Sequence, residues 1–433
     1  MTELETACRE NDLIDRRLYE EYDINQGLRD EKGNGVLTGL TNISLIKSYE
    51  VQNGAKLPCD GELWYRGYRV EDLISGLGQN EMGYEKIAYL LLVGELPNEE
   101  QFAQFRSALG TLMALPTNFT RDVIMKAPTD DIMNTMTRSI LTLASYDWDL
   151  KKPSLENNIR QCLQLISQFP TLAVYAYNAY NHYQNLESMF IHYPDPCLSP
   201  AENILTMLRP DKQYTPTEAK VLDTALILHM EHGGGNNSTF TTRVVTSSGS
   251  DTYSTMAAAM CSLKGPKHGG ANIKVMDMMS DISAHISDAE DDEELIAYLE
   301  KILDKETFDH RGLIYGMGHA VYTLSDPRER VLKSYVKQLA AEKDRTDEFR
   351  LYEQIERLAP QLIMNRKHNR VCPNVDFYSG FVYDMLGIPK ELYTAIFAVA
   401  RIVGWSAHRI EELVCTDKII RPAYMSVMKK KEG

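Results

Sequence analysis

The chain alternates stretches of helical periodicity with short breaks marked by glycine and proline. Apolar residues recur every three to four positions through most of the chain after residue 84, a spacing typical of amphipathic α-helices. Helices are predicted at 84–93, 130–143, 157–183, 215–232, 255–263, 288–304, 325–339, 349–364, 378–386 and 390–413. A β-prone stretch at 36–51 is the main exception. The pattern therefore predicts a mainly α fold.

One of these helices has well-marked ends. Thr215-Pro216-Thr217-Glu218 combines a capping box with a proline at the first helical position, and Gly233 stops the pattern. The sequence shows neither the alternation of strands and helices that builds a parallel sheet nor the glycine-rich turn that binds dinucleotides. A nucleotide-binding α/β fold is therefore not expected.

Length and charge narrow the classes of partner. A chain of 433 residues predicts two domains. The formal net charge of -15 repels the phosphates of nucleic acids and of anionic lipids. No apolar run approaches the length of a membrane span, and the first residues lack the apolar core of a signal peptide. We expect a cytoplasmic protein that binds neither nucleic acid nor membranes.

The cysteines argue against a disulfide scaffold or a zinc ribbon. There are seven of them, scattered along the chain, and no two have the C-x-x-C spacing of metal and redox motifs. Reduced thiols, as found in cytosolic proteins, fit this usage better.

The segment Gly265-Pro-Lys-His268-Gly-Gly-Ala-Asn272 places a histidine in a break between two helical patterns. The amino-terminal end of a helix disfavours imidazolium, so we expect His268 to be neutral. A neutral imidazole can donate a hydrogen bond to a substrate oxygen. Taken alone, the pattern also fits a turn histidine with no chemical role.

Three charged residues lie in apolar surroundings. Arg401, flanked by Ala395–Ala400 and Ile402–Trp405, is expected to be buried and to meet an anion, with an internal carboxylate as the alternative. Arg421 is a weaker case of the same kind. Asp376 precedes a helical pattern, where desolvation would strengthen it as a base, although an aspartate that caps the helix is the alternative.

Further candidates are three histidines, of which one lies among glycines and two lie in a predicted helix. His319 lies in Gly316-Met-Gly318-His319, and Arg328 gains interest because it follows nearby. His229 and His232 have a spacing that suggests zinc, but the HExxH motif is missing and no third ligand is evident. One helical face that ends at a cavity explains this pair as well, so no metal is predicted.

Several segments, in one order, resemble the citrate synthase family. They cover most of the chain between about residues 36 and 425, and a run of five in register is more specific than any one of them. These segments are Leu226–His232 with Asn237-Ser-Thr and Arg243, Gly265–Asn272, Gly316–Tyr322 with Asp326-Pro-Arg328, Pro373–Gly380, and Arg401–His408 with Arg421-Pro.

The resemblance implies a mainly α-helical, two-domain fold and a homodimer. The large domain would comprise residues 1–276 and 380–433, and the small domain residues 277–379. The active site would lie in the cleft between them, and Arg421 would be supplied across the dimer interface.

The resemblance also implies roles for the candidate residues. Asp376 would be the base, His268 the donor to a thioester oxygen, and His319 the donor to the ketone of oxaloacetate. Carboxylate binding would fall to Arg328, Arg401, Arg421 and His232. The implied reaction joins acetyl-CoA to oxaloacetate and hydrolyses citryl-CoA to citrate and CoA. It needs no metal or tightly bound cofactor, and CoA is a co-substrate.

The sequence departs from the family where the phosphates of CoA would bind. Ala320 follows His319 where many bacterial members have arginine, and Thr323-Leu324 carries no charge. The cations that could replace these contacts are Lys267, Arg366, Lys367 and Arg370.

Three alternatives stay open at this point. One is 2-methylcitrate synthase, which would use propionyl-CoA and share the same motifs. Another is a non-catalytic helical dimer that binds acyl-CoA, against which the intact set of His268, His319 and Asp376 argues. The third is a metallohydrolase built on His229 and His232.

Overall fold

A computed structural model of the chain describes residues 1–30, 35–78 and 81–428. The segment Met1–Thr41 forms a unit of its own. It contains helix α1 (Thr2–Asp12) and helix α2 (Arg17–Glu21), and neither helix has a buried residue.

The second unit, which starts at Asn42, opens with a small antiparallel sheet. Its strands, in the order β1-β2-β3, are β1 (Ser44–Gln52), β2 (Ala55–Tyr65) and β3 (Tyr68–Arg69). Strand β1 begins inside the predicted β-prone stretch. Strand β2 was not predicted, because Pro58 and Gly61 are residues that usually interrupt strands. A Cβ at Gly61 would lie 2.2 Å from the carbonyl oxygen of Ser325, so close packing explains the glycine.

Helices are the regular elements in the described chain that follows, which confirms the mainly α fold class. Its α-helices are α3 (Val70–Ser75), α4 (Tyr84–Val93), α5 (Glu99–Leu112), α6 (Ile132–Leu143), α7 (Leu155–Gln184), α8 (Pro200–Leu208), α9 (Pro216–His229), α10 (Asn237–Ser247), α11 (Thr252–Leu263), α12 (Ala271–His285), α13 (Asp292–Leu303), α14 (Pro327–Glu342), α15 (Thr346–Lys367), α16 (Val375–Met385) and α17 (Tyr393–Cys415). Single turns of other helix types lie at Thr120–Ile124, Ala144–Tyr146 and Lys390–Leu392.

Helix α9 starts as predicted and ends early. The Thr215 side chain accepts a hydrogen bond from the amide of Glu218, whose carboxylate accepts one from the amide of Thr215. The helix stops at His229 because the chain turns around Glu231, whose Oε1 accepts from the amide of Gly233 at 2.6 Å. The predicted end at residue 232 is therefore wrong, and His232 lies outside the helix.

Helix α17 runs through the centre of the second unit. It packs against α4, α7, α9, α10 and α11, and most of its residues are buried. Two of the buried residues are Arg401 and Arg409. The five N–H groups of Arg409 are met by neutral oxygens alone, from Asn158, Thr246, Ser250, Thr252 and Thr255. A helix in this position can hold a charged side chain inside the protein.

Gly404 allows α17 to approach the end of α9. A Cβ at this position would lie 2.4 Å from the carbonyl oxygen of Met230 and 2.5 Å from Oε2 of Glu231. We expect Gly404→Ala to lower the free energy of unfolding by about 1–3 kcal/mol, because the two backbones must separate. Chemical denaturation checks this, with Gly39→Ala as a control, since nothing lies within 4 Å of its added Cβ. Equal stability of Gly404→Ala and wild type would contradict this packing.

The predicted domain boundaries fall inside continuous helices. The division after residue 276 lies within α12, and the division after residue 379 lies within α16. The domains 1–276, 277–379 and 380–433 therefore stay a prediction.

All seven cysteines are free thiols. Among the helices of the described residues, none combines the length and the apolar character that a bilayer crossing needs.

Candidate active site

His268 lies in the tight turn between α11 and α12. Its amide donates to the carbonyl oxygen of Gly265 at 2.8 Å. A Cβ at Gly269 would lie 2.4 Å from the carbonyl oxygen of Leu263, and the side chain of Thr394 donates to the carbonyl oxygen of Gly269 at 3.0 Å. The glycine next to His268 therefore lets the turn pack between the end of α11 and the start of α17.

The His268 ring is held by a serine and a tryptophan. Its Nε2 lies 3.0 Å from Oγ of Ser238, which also accepts a hydrogen bond from Nε1 of Trp405 at 3.2 Å. Burial lowers the pKa of His268 to about 4, and the charge of Arg401 adds to this effect. The ring is thus neutral near pH 7. Burial beside a cation accounts for this neutral state, whereas the sequence argument began from the helix dipole.

His319 is a neutral donor with a defined tautomer. Its Nδ1 accepts from the amides of Val321 at 3.0 Å and Tyr322 at 3.2 Å, which leaves the ring proton on Nε2. That Nε2 lies 3.4 Å from Nη2 of Arg328. Burial lowers the pKa of His319 to about 4, helped by the charge of Arg328. The N–H of His319 is therefore available beside a cation.

His232 lies against His319. The two ring centroids are 5.0 Å apart, and Nε2 of His232 is 3.3 Å from the hydroxyl of Tyr322. Burial lowers the pKa of His232 well below its ordinary value. His229 instead bonds its own helix through Nδ1, 2.7 Å from the carbonyl oxygen of Ala225. Within the described part of the chain, no three His, Cys, Asp or Glu side chains form a group that could hold a metal ion.

Arg328 is buried and clamped by an aspartate. Its Nε and Nη2 bond Oδ1 and Oδ2 of Asp326 at 3.0 and 2.7 Å. Asp326 is fully buried, caps α14, and accepts from the amide of Val375 at 3.3 Å. Burial alone would lower the pKa of Arg328, but Asp326 raises it above its ordinary value. The guanidinium is therefore charged and fixed in position.

Asp376 occupies the first turn of α16 and does not cap it. The cap is Asn374, whose Oδ1 accepts from the amide of Asp376 at 2.9 Å, so the alternative of a capping aspartate is wrong. Among the described residues, none hydrogen-bonds or pairs with the Asp376 carboxylate. Burial raises its pKa to about 6, although Arg328 and Arg401 act in the opposite direction. With a pKa of about 6, this carboxylate is ionised near pH 7 and can accept a proton.

Arg401 is buried without a direct ion pair in the described structure. It is 1% exposed, its Nε donates to the carbonyl oxygen of His229 at 2.7 Å, and its guanidinium carbon lies 4.7 Å from the Phe397 ring centroid. Nη1 has no hydrogen-bond partner among these residues. Burial lowers the pKa of Arg401, and the charge of Glu231 opposes that effect. A buried guanidinium that has an unused N–H and no ion pair among the described residues favours binding of an anion from outside the protein.

Mutual charge effects tie the candidates into one site. Arg401 influences the pKa of His268, His232 and Asp376. Arg328 influences the pKa of His319, His232 and Asp376. The structure thus brings together six of the seven residues predicted for catalysis and substrate binding: His232, His268, His319, Arg328, Asp376 and Arg401.

Arg421 and Lys267 lie apart from this group. Arg421 is exposed in the segment after α17, next to Ile420, whose amide donates to Oγ of Ser247 at 2.9 Å. Lys267 is exposed in the turn beside His268. In the described residues, neither side chain contacts the six residues of the site.

Two of the predicted CoA-binding cations share a cavity with His319. Lys367 and Arg370 line this space of about 280 Å³ together with His319. The third, Arg366, is already paired with Asp304 at the end of α15. The cavity therefore places two cations beside His319, the residue predicted to donate a hydrogen bond to the ketone.

A family model described as "Citrate synthase, C-terminal domain" matches residues 32–423. The chain belongs to the citrate synthase family. Members of this family are acyltransferases of the type in which the acyl group becomes an alkyl group on transfer.

Proteins named citrate synthase and proteins named 2-methylcitrate synthase are both similar to this chain. Citrate synthase of Deinococcus radiodurans is 36% identical over 76% of this chain and 81% of its own length. The 2-methylcitrate synthase of Shewanella oneidensis is 33% identical over 85% and 90%. Among solved structures, citrate synthase from Thermoplasma acidophilum, in a ternary complex with carboxymethyl coenzyme A and oxaloacetate, is 26% identical with a TM-score of 0.75 and covers 92% of this chain and 96% of that one.

Sequence reasoning missed the residues that hold the histidines. Ser238, Trp405 and Tyr322 all lie inside segments that resemble the citrate synthase family, but nothing in their local pattern distinguishes them from core residues. Their contacts join parts of the chain that are 30 to 167 residues apart. Only the tertiary structure reveals such contacts.

Proposed function

We propose that this site condenses acetyl-CoA with oxaloacetate and water to give citrate and CoA. The observation that carries the proposal is the combination of two neutral donors, His268 and His319, with a carboxylate that has no protein partner among the described residues, Asp376. Two buried arginines surround this set. The arrangement suits proton abstraction next to a thioester and attack on a ketone.

The first step forms the carbon nucleophile. Asp376 takes a proton from the methyl group of acetyl-CoA, and the electron pair moves to the thioester oxygen. His268 donates a hydrogen bond to that oxygen and stays neutral, because an imidazolium would be costly in its buried position beside Arg401. The elevated pKa of Asp376 brings the base closer in strength to the weak carbon acid.

The second step forms the carbon–carbon bond. The enolate carbon attacks the ketone carbon of oxaloacetate, while Nε2–H of His319 donates a hydrogen bond to the ketone oxygen. The proton that Asp376 removed ends on that oxygen, so the hydroxyl of citryl-CoA forms and Asp376 is ionised again. Arg328, Arg401 and His232 bind the two carboxylates. Water then cleaves the thioester, and citrate and CoA leave.

CoA and a second subunit complete the proposed site. Lys367 and Arg370 would meet the CoA phosphates from the cavity beside His319, with Lys267 near the thioester end, whereas the ion pair of Arg366 makes it a weaker candidate. The complex of the Thermoplasma acidophilum relative supports a CoA site and an oxaloacetate site. Arg421 would reach the substrate of a second copy in a homodimer, which its exposure in the terminal segment allows.

Closure of the cleft between the proposed domains would exclude water from the enol. The small domain, 277–379, carries His319, Arg328 and Asp376, whereas the large domain carries His232, His268 and Arg401. Movement of one domain against the other would therefore assemble or separate the two halves of the site.

The cytoplasmic location of the protein likewise stays a prediction.

The pH dependence of turnover follows from Asp376. The base works only when ionised, and burial raises its pKa to about 6. We expect kcat/KM for the thioester to fall tenfold per pH unit below about pH 6, while both histidines stay neutral because their pKa values are near 4. Steady-state rates between pH 5 and 8 measure this dependence. A value of kcat/KM that does not fall between pH 6 and 5 would contradict the assignment.

The runner-up is 2-methylcitrate synthase, since a relative with that name is similar over most of the chain. Oxaloacetate-dependent release of the CoA thiol, measured with acetyl-CoA and with propionyl-CoA, tests both. A higher kcat/KM for acetyl-CoA supports the proposal, and a higher value for propionyl-CoA supports the runner-up. One methylene changes the ratio by roughly 10- to 200-fold at most, so both thioesters are expected to react.

A further inference from the structure

Tyr322 contacts three of the residues proposed to bind oxaloacetate. Its ring stacks on His319 with a centroid distance of 4.9 Å and an interplanar angle of 29°. Its hydroxyl lies 3.3 Å from Nε2 of His232, and the guanidinium carbon of Arg328 lies 5.9 Å from its ring centroid. The side chain is 1% exposed. Tyr322 therefore lies at the centre of the oxaloacetate side of the site.

Strand β2 holds Tyr322 in place. A Cβ at Gly61 would lie 2.7 Å from Cδ1 of Tyr322, so the strand backbone presses directly on the ring. The amide of Gly61 donates to Oγ of Ser325 at 3.0 Å, and the Tyr322 hydroxyl lies 3.5 Å from the carbonyl oxygen of Glu62. The ring thus has little freedom to turn away from the histidines.

The hydrogen-bonding groups of His232 determine the direction of its hydrogen bond with the Tyr322 hydroxyl. Nε2 is committed to Tyr322, and Nδ1 has no hydrogen-bond partner in the described parts of the chain. A carboxylate only accepts hydrogen bonds, so His232 can bind one only with its proton on Nδ1. Nε2 is then an acceptor, and the single phenol proton goes to Nε2 at 3.3 Å and not to the carbonyl oxygen of Glu62, which is more distant at 3.5 Å. Burial raises the pKa of Tyr322, which keeps the phenol protonated.

We propose that Tyr322 is a positioning residue that fixes the tautomer of His232 and the ring of His319. Its hydroxyl donates to Nε2 of His232, and its ring supports the imidazole of His319. His232 then presents Nδ1–H, and His319 presents Nε2–H, to two oxygens of one 2-oxo dicarboxylate. This inference rests on the proposed function, because it takes oxaloacetate as the ligand.

Tyr322→Phe separates the hydroxyl from the ring. We expect the Kd of oxaloacetate, measured by calorimetry without a thioester, to rise roughly 3- to 10-fold, the effect of one lost hydrogen bond. The KM for acetyl-CoA and the melting temperature stay close to the wild-type values, since the ring still fills its place. Tyr322→Leu removes the ring as well, so we expect an additional fall in kcat through His319.

Tyr298→Phe is the matched control. Tyr298 also has a bonded hydroxyl, to Asp281 at 2.7 Å and Thr307 at 3.0 Å, but it contacts none of the site residues in the described structure. Its substitution is expected to leave the Kd of oxaloacetate unchanged.

The outcomes distinguish this inference from the proposed function. Wild-type protein that binds oxaloacetate and a Tyr322→Phe variant with unchanged Kd would overturn the role of Tyr322 alone, whatever the change in stability. Wild-type protein that does not bind oxaloacetate would overturn the proposed function and this inference with it. A selective rise in Kd in Tyr322→Phe supports both.

Discussion

Asp376→Asn is expected to lower kcat by at least about 100-fold, because the proposed base is lost while its shape is kept. The carboxylate has no hydrogen-bond partner among the described residues, so the substitution removes no structural contact and the melting temperature should hardly change. The Kd of oxaloacetate should remain near the wild-type value, since Arg328 and Arg401 are intact. Steady-state kinetics and calorimetry measure the two effects separately.

Asp384→Asn provides a control on the same helix. Asp384 lies in α16 and pairs with Arg345 at 2.6 Å, away from the site. Its substitution should leave kcat unchanged. If Asp376→Asn kept near-native turnover, Asp376 would not be the base and the proposed first step would be wrong.

Arg401→Leu is expected to weaken oxaloacetate binding by roughly 100-fold, since a buried cation that meets a carboxylate is lost. The free protein should lose little stability. Leucine forfeits the bond from Nε to the carbonyl oxygen of His229, but it also removes a buried charge that has no direct ion pair in the described chain. Calorimetric titration and chemical denaturation measure the two effects.

Arg409→Gln is the informative comparison, because Arg409 is a second buried arginine of α17. All five of its N–H groups already have partners in the protein. Its substitution should therefore lower stability and leave the Kd of oxaloacetate unchanged. An unchanged Kd in Arg401→Leu would instead mean that Arg401 serves an internal carboxylate, with Glu231 as the candidate.

The helices were predictable where local chemistry marks them. The capping box at Thr215 begins α9 where the sequence placed it. Helix α14 begins two residues after its predicted start, with Asp326 as the cap and Pro327 as the first helical residue. The early end of α9 was not predictable, because it depends on hydrogen bonds from Ser44 and Gly233 to Glu231. Local pattern cannot report a contact with a strand 187 residues away.

The site was predictable as a set of residue types and not as an arrangement. Arg401 was recognisable by its apolar flanks, and its burial is as expected. The neutral state of His268 was argued from the helix dipole, whereas burial and Arg401 cause it. Tyr322 lies in a segment that resembles the family, but its local pattern did not mark it out, because its role depends on contacts with His232 and strand β2.

The central claim is that this site forms a carbon–carbon bond between acetyl-CoA and oxaloacetate. The most direct measurement supplies acetyl-CoA with an isotopically labelled methyl carbon. Mass spectrometry follows the label, and the released CoA is quantified in the same reaction. We predict that the label appears in citrate, that one CoA is released per citrate formed, and that Asp376→Asn abolishes both together. Release of CoA without labelled citrate would show a thioester hydrolase instead and would contradict the account.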